Sequence, residues 1–257
     1  MVHFFSKIRY KLAAENRVAR YLRYAIGEIL LVVIGILIAL QINNWNEKQK
    51  AKVYEIKMLS EIRNAMISDI KLFDMLANTR LAKIDSFNTV LLDLYMKKEP
   101  VPDSVLNNIS ILNWGYLFNY NSGPYEAVKS SGMDKISNDS IRNALAALYD
   151  YYLPRTKLAL EMIDKSLNDQ PENFNKLFEQ VPYYDNKDKI GLRWQSKYKN
   201  VWLREEYQPL LITTKVWINE AKLWINGGAR IRMENCLRLI DKEFSKSSTA
   251  SNAQKIP

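Results

Sequence analysis

AIGEILLVVIGILIALQI, residues 25–42, is the stretch whose reading decides the fold. Its 18 residues carry one charge, Glu28, near the start. At ~1.5 Å rise per residue it forms a helix of ~27 Å, enough to cross a hydrocarbon core. In water so many branched apolar side chains would need a core on every side, yet the flanks are basic before and amide-rich after. The expected element is one transmembrane helix over residues 25–45, running on into a longer helix.

Working outward, residues 1–24 form a basic arm. Lys7, Arg9, Lys11, Arg17, Arg20 and Arg23 stand against Glu15, so the arm supplies +5 of the chain's formal net charge of +9. A basic arm beside a span is a topology signal and a contact for anionic lipid. No recognised nucleic-acid motif accompanies it, so nucleic acid is not an expected partner. Phe4, Ile8, Leu12 and Val18 to Leu22 fit an arm lying on the membrane surface, and a solvated arm that only fixes orientation fits equally. Ala39-Leu40-Gln41 is a poor cleavage site, which points to an uncleaved signal anchor. Lys48, Lys50, Lys52 and Lys57 make the basic bias across the span modest. It favours the N-terminus inside and the large domain on the far side.

Within the span, Glu28 has two readings. It can relay protons or meet a partner helix, or it can sit one turn inside the edge and snorkel to the headgroups, where a charge costs less. Gly35 and Ala39 form a small-xxx-small pair that lets two helix backbones approach, and a homodimer is the partner it suits. Asn43, Asn44 and Trp45 suit the far interface, with the indole as anchor.

The chain's 8 Gly and 8 Pro are few for 257 residues and disfavour a turn-rich β architecture. Its single Cys, Cys236, and single His, His3, exclude an internal disulfide, most zinc sites and a Ser/His or Cys/His dyad in the main domain. No glycine-rich phosphate loop, H-E-x-x-H or calcium loop occurs, so neither metal nor cofactor is expected.

From residue 46 to about 96 apolar residues recur in steps of three and four: Val53, Ile56, Leu59, Ile62, Met66, Ile70, Phe73, Ala77, Leu81, Ile84, Phe87, Leu91, Leu94. This is an amphipathic helix without Gly or Pro. Lys97 to Pro102 breaks it. Asp103 is then expected to cap a short helix through Leu112, and residues 113–124 read as loop. Pro124 opens and Gly132, in an αL conformation, closes a short helix over residues 125–131. Ser131 and Gly132 read as a helix stop in preference to a ligand-binding turn. Ser137 or Asn138 caps a helix from Asp139 to about Asn168, kinked at Pro154. Residues 171–180 form another short helix and residues 181–195 a loop. The stripe returns from Pro209 to Phe244, with Gly227-Gly228 weakening it or allowing close packing. Residues 245–257 are polar, and disorder is expected there.

YAIGEILLVVIGILIALQINNWNE, residues 24–47, resembles the signature of a family of uncharacterised single-pass membrane proteins common in Bacteroidota. The family pattern is a basic aromatic arm, Y-A-x-G-E, the apolar span and Q-I-N-N-W-N-E. SSGMDKISNDSIRNALAALY, residues 130–149, is similar to a second family block, with Ile141 in the place of a leucine, and LRLIDKEF, residues 237–244, to its C-terminal helix end. The resemblance implies a helical envelope protein; with the uncleaved anchor and the charge bias across the span, the expected location is the bacterial cytoplasmic (inner) membrane with a periplasmic domain. The family has no assigned activity, so it supplies no catalytic residues.

The expected fold is therefore all-α: arm 1–24, span 25–45, helical bundle 46–244, tail 245–257. The expected role is non-catalytic, a sensor, scaffold or accessory subunit whose partners are the bilayer and another membrane or envelope protein. One rival is an envelope enzyme using a carboxylate pair, Glu205-Glu206 or Asp241/Glu243, in an aromatic cleft built from residues such as Tyr149, Trp194 and Trp224. The other is a cytoplasm-facing, membrane-anchored binding protein. Cys236, inside an apolar helical pattern, reads as packed and not reactive.

Overall fold

A computed structural model of the chain describes residues 17–113, 115, 117–168, 171–184 and 190–253. His3 and most of the basic arm lie outside the described residues. The fold is all-α apart from one hairpin, and the chain divides into two units, Met1–Glu55 and Ile56–Pro257. The boundary falls inside helix α1, Arg17–Met75.

The first unit is helical from Arg17 onward. Its apolar window is long enough to cross a membrane, and none of the window is buried. The polar end of the unit carries ion pairs at helical spacing, the exposed Lys50–Glu47 and the part-buried Lys52–Glu55, each at 3.0 Å.

The second unit is built on three long helical segments. One comprises the end of α1, a π-helical turn at Leu76–Leu81 and α2, Ala82–Lys97. Another joins α5 (Asp139–Ala147) to α6 (Leu153–Asn168) through a π turn at Leu148–Tyr152. The last joins α8 (Tyr207–Leu223) to α9 (Ile231–Ala253) through a π turn at Trp224–Arg230. Arg63–Asp241, Asp74–Arg230, Asp85–Lys222 and Tyr95–Tyr207 pair with falling partner numbers, so the outer two segments run antiparallel. Asn138–Glu243 and Arg155 over Trp224 set the middle segment antiparallel to α8/α9 as well.

The core is where the expected stripe lies, with shifts. Leu59, Ile62, Met66, Phe73, Leu81, Ile84 and Leu91 are buried, whereas Val53 is 68 % exposed. Burial along the last segment follows Leu211, Ile218, Ile225, Ala229, Met233, Cys236 and Ile240, and Ile231 is exposed. The π turn explains the slip, because one extra residue per turn rotates everything after it. Gly228 allows the close approach: a Cβ there would lie 2.6 Å from the buried Thr156 hydroxyl.

Several local expectations are corrected. Asp103 is the first helical residue of α3, Asp103–Leu106, whose cap position is Pro102 without a side-chain bond; a 3₁₀ turn follows at Ile109–Asn113. At Pro154 the missing N–H is accommodated by the preceding π turn. Residues 178–184 and 190–196, expected as helix end and loop, form an antiparallel hairpin of β1 (Phe178–Tyr184) and β2 (Ile190–Ser196) after the short helix α7, Pro171–Leu177. The tail is helical to Ala253, since Ser, Lys, Thr and Ala offer no Gly or Pro to stop α9; residues 254–257 lie outside the described residues.

Helix α4, Gly123–Ser131, ends as expected at Gly132, with φ 110°. Its ψ of 120° is not αL but a region open only to glycine. Ser130 and Ser131 donate back to the carbonyls of Ala127 and Val128, so their hydroxyls serve the helix end. Asn138 caps α5, accepting from the Ser140 and Ile141 N–H groups at 3.0 and 3.4 Å. A Cβ at Gly132 would also meet Asp134 Oδ1 at 2.5 Å. Gly132→Val is expected to cost ~2 kcal/mol or more. Urea unfolding reads it, and an unchanged midpoint contradicts the assignment.

Candidate functional site

Four of the expected site residues belong to the first unit. Glu28, Gly35, Ala39 and Trp45 are all exposed, and a Cβ at Gly35 would meet nothing within 4 Å. Gly35 and Ala39 therefore share an open helix face.

The second unit holds a groove of about 460 Å³ where the first π turn interrupts the long helix. Leu72, Phe73, Met75, Leu76, Thr79 and Arg80 form one wall, and Leu117, Phe118 and Asn119 the other. Its floor is a ring stack, Phe73 on Phe118, with centroids 4.5 Å apart and planes at 20°. Leu72, Met75 and Leu117 stand exposed around it, Leu117 at 81 %. The π turn loosens the helix just where this wall is needed, since Ala82 N–H reaches back five residues to Ala77 O.

Behind the groove the rings continue inward. Phe118 leads to Tyr120, Tyr120 to Tyr149, and Tyr149 stacks on Tyr125 at 4.6 Å and 9°. Two carboxylates face this chain. Asp69, 3 % exposed, accepts the Asn121 N–H at 2.9 Å and so holds the strand of residues that carries Phe118 and Tyr120. Asp150 accepts the Tyr125 hydroxyl and the Lys129 ammonium, each at 2.8 Å.

Burial pushes the Asp69 carboxyl up, against the lowering effect of the Asn121 N–H. Burial acts the same way on Asp150, but Lys129 and Tyr125 outweigh it and hold that carboxyl down. The Tyr125 and Tyr149 hydroxyls are pushed up, chiefly by burial, and Cys236 to about 12. These groups are protonated near neutral pH, so none is a ready nucleophile. The Tyr149 hydroxyl is buried without a hydrogen-bond partner among the described residues.

The carboxylate pairs singled out in the sequence are engaged elsewhere. Asp241 binds Arg63 at 2.6 Å, Glu243 accepts from Asn138 at 3.0 Å, and Glu206 lies 3.7 Å from Arg204. The aromatic residues divide. Tyr149 joins the ring chain, Trp194 packs on Phe174 in the hairpin, and Trp224 lies under Arg155. Sequence reasoning passed over Asp69, yet a signal was present. Asp69 falls in phase with Leu59, Ile62, Met66 and Phe73, and an acid inside an apolar stripe is costly unless bonded.

That cost has a testable sign. A carboxyl raised in the folded chain binds protons more readily folded than unfolded. Stability therefore falls as pH rises from the ordinary 3.8 through the raised value, and the deficit persists at neutral pH. Asp69→Asn is expected to flatten that decline and to raise stability at pH 7 relative to the unsubstituted chain. Urea titrations at a series of pH values read it, and an unaltered pH slope contradicts it.

The fold and site define a chain with an exposed apolar N-terminal helix in its first unit and, in its second, a helical bundle that carries an aromatic groove. The chain belongs to a family of unknown function, DUF6090, whose model matches residues 28–198. No curated protein and no solved structure matches the chain.

Proposed function

We propose that the chain is a membrane-anchored helical binding protein of the bacterial envelope, a non-catalytic sensor, scaffold or accessory subunit. The cytoplasmic (inner) membrane holds its apolar helix, with the N-terminus inside and the bundle on the periplasmic side. One observation carries the reading: an apolar window in α1 long enough to cross a bilayer, with none of it buried by the chain itself. Exposure on this scale in water would be a continuous aggregation surface, and lipid is the solvent that removes the cost.

A binding role is supported by the groove at the first π turn, which is mostly apolar and rimmed by exposed Leu72, Met75 and Leu117. It supplies surface for a partner, and among the described residues its lining is Leu, Phe, Met, Thr, Asn and one Arg. The partner is another membrane or envelope protein, and Gly35 with Ala39 offers a second copy of the chain a contact within the bilayer. Alkaline carbonate extraction of membranes from cells making the full chain tests the anchor. The chain is expected in the pellet; release into the supernatant contradicts anchoring.

A further inference from the structure

The groove at the first π turn has a basic neighbour. Asn78, Thr79, Arg80, Ala82, Lys83 and Ser86 line an open recess of about 580 Å³, and Thr79 and Arg80 belong to both linings. Among the described residues the two linings carry Arg80 and Lys83 and no Asp or Glu. The acids closest in the sequence are turned to the third helical segment. Asp74 holds Arg230, and Asp85 holds Lys215 at 2.6 Å and Lys222 at 2.7 Å. The apolar wall from Leu72 to Thr79 runs roughly 10 Å along the helix. An apolar slot floored by stacked rings therefore opens, at its Arg80 end, into a recess of cations, amide and hydroxyl groups.

We propose that the groove binds a single-chain alkyl carboxylate. Its alkyl chain lies over the Phe73–Phe118 stack between Leu72, Met75 and Leu117, and its carboxylate meets Arg80 and Lys83. A guanidinium matches a carboxylate with two parallel bonds, and an ammonium adds a point charge. The Asn78 amide and the Ser86 hydroxyl supply further donors for the same oxygens. The size fits: small-ligand sites hold ~300–1,000 Å³, and the slot holds about 460 Å³. A protein interface takes ~800 Å² from each side, far more than three exposed rim side chains offer. The proposal rests on the chain being a membrane-anchored binding protein and names what enters its groove; a protein partner then meets the groove filled.

The test places the full chain in phosphatidylcholine nanodiscs with a decanoate analogue that carries a diazirine near its methyl end. After irradiation, adducts are mapped by peptide mass spectrometry. They are expected on peptides holding residues 72–80 and 117–119, and unlabelled decanoate is expected to compete them away. Met75→Asp, at an exposed position, puts an acid at the mouth and should remove them without changing the circular dichroism. In the double variant Arg80→Gln, Lys83→Gln, both exposed positions, decanoate should compete roughly tenfold less well, the loss of one charge-assisted bond. Decanol, with the same chain and no charge, should compete as before. Adducts spread over the bundle, or unmoved by decanoate, overturn the proposal. Undiminished decanoate competition in the double variant overturns the carboxylate. Probe dissolved in the bilayer also reads the anchor, through adducts in residues 25–42. Adducts there but not at the groove leave the anchor standing and overturn the ligand; adducts at the groove but not there do the reverse.

Discussion

Arginine at both Ile34 and Leu37 releases the chain from the membrane fraction. The window of residues 25–42 holds twelve Ile, Leu and Val side chains, each favouring insertion by ~0.3–0.6 kcal/mol, or ~4–7 kcal/mol together. Each arginine near the middle costs ~2.5–3.5 kcal/mol, so the pair removes about the whole of that margin. Positions 34 and 37 are on one face and too far inside for both side chains to snorkel. After alkaline extraction the double variant is expected mainly in the supernatant. Its helical circular dichroism should persist, since none of the window is buried against the chain. Retention in the pellet contradicts this segment as the source of anchoring, because alkaline extraction strips peripherally attached protein and only another inserted segment would hold the variant.

Phe73→Ala is expected to be the most damaging single substitution around the groove. Phe73 is 2 % exposed and stacks on Phe118, so its removal both opens a cavity and unpairs a ring. Large-to-small changes of this kind cost ~3–5 kcal/mol, because a packed bundle relaxes only partly into the space. The residues after Phe118 are held by Asn121 on Asp69, so loosening the stack also loosens that buried acid's partner. Phe73→Leu keeps most of the volume and is expected to cost ~1–2 kcal/mol. Urea unfolding of the two variants reads the difference. A loss below ~1 kcal/mol for alanine would mean the groove floor is not part of the cooperative core.

The apolar window and the three- and four-residue stripes are visible in the sequence because burial against one face leaves a period in it. The Asn138 cap and the positive φ at Gly132 are visible because short side-chain and backbone chemistry dictates them locally. The π turns are different. LANTRL contains neither Gly nor Pro, so no local pattern records its extra residue, whereas LYDYY runs into Pro154 and WINGGAR carries Gly227-Gly228, which do mark a weak point locally. The hairpin stayed hidden for a related reason: Pro182 and Gly191 read as breakers, and the alternation that would mark a strand is faint where the apolar face is exposed. Asp69 shows the reverse, a site residue whose in-phase position was readable but whose partner, the Asn121 N–H, is set by tertiary structure.

The groove itself could not be read in advance. Its walls come from residues 72–80 and 117–119, which meet because the segment after α2 folds back onto the first helical segment. Nor does it repeat the carboxylate pairs suspected from sequence, since Asp241, Glu243 and Glu206 lie against Arg63, Asn138 and Arg204. The first two of those contacts tie α9 to α1 and to the start of α5, whereas the third is local to residues 204–206.

The central claim is a helical binding domain held outside the cytoplasmic membrane by residues 25–45. Its most direct test is a pair of fusions at the C-terminus of the full chain, one to a reporter active only outside the cytoplasm and one to a reporter active only within it. Activity from the first and silence from the second is the predicted result. Activity from the cytoplasmic reporter alone would contradict the account.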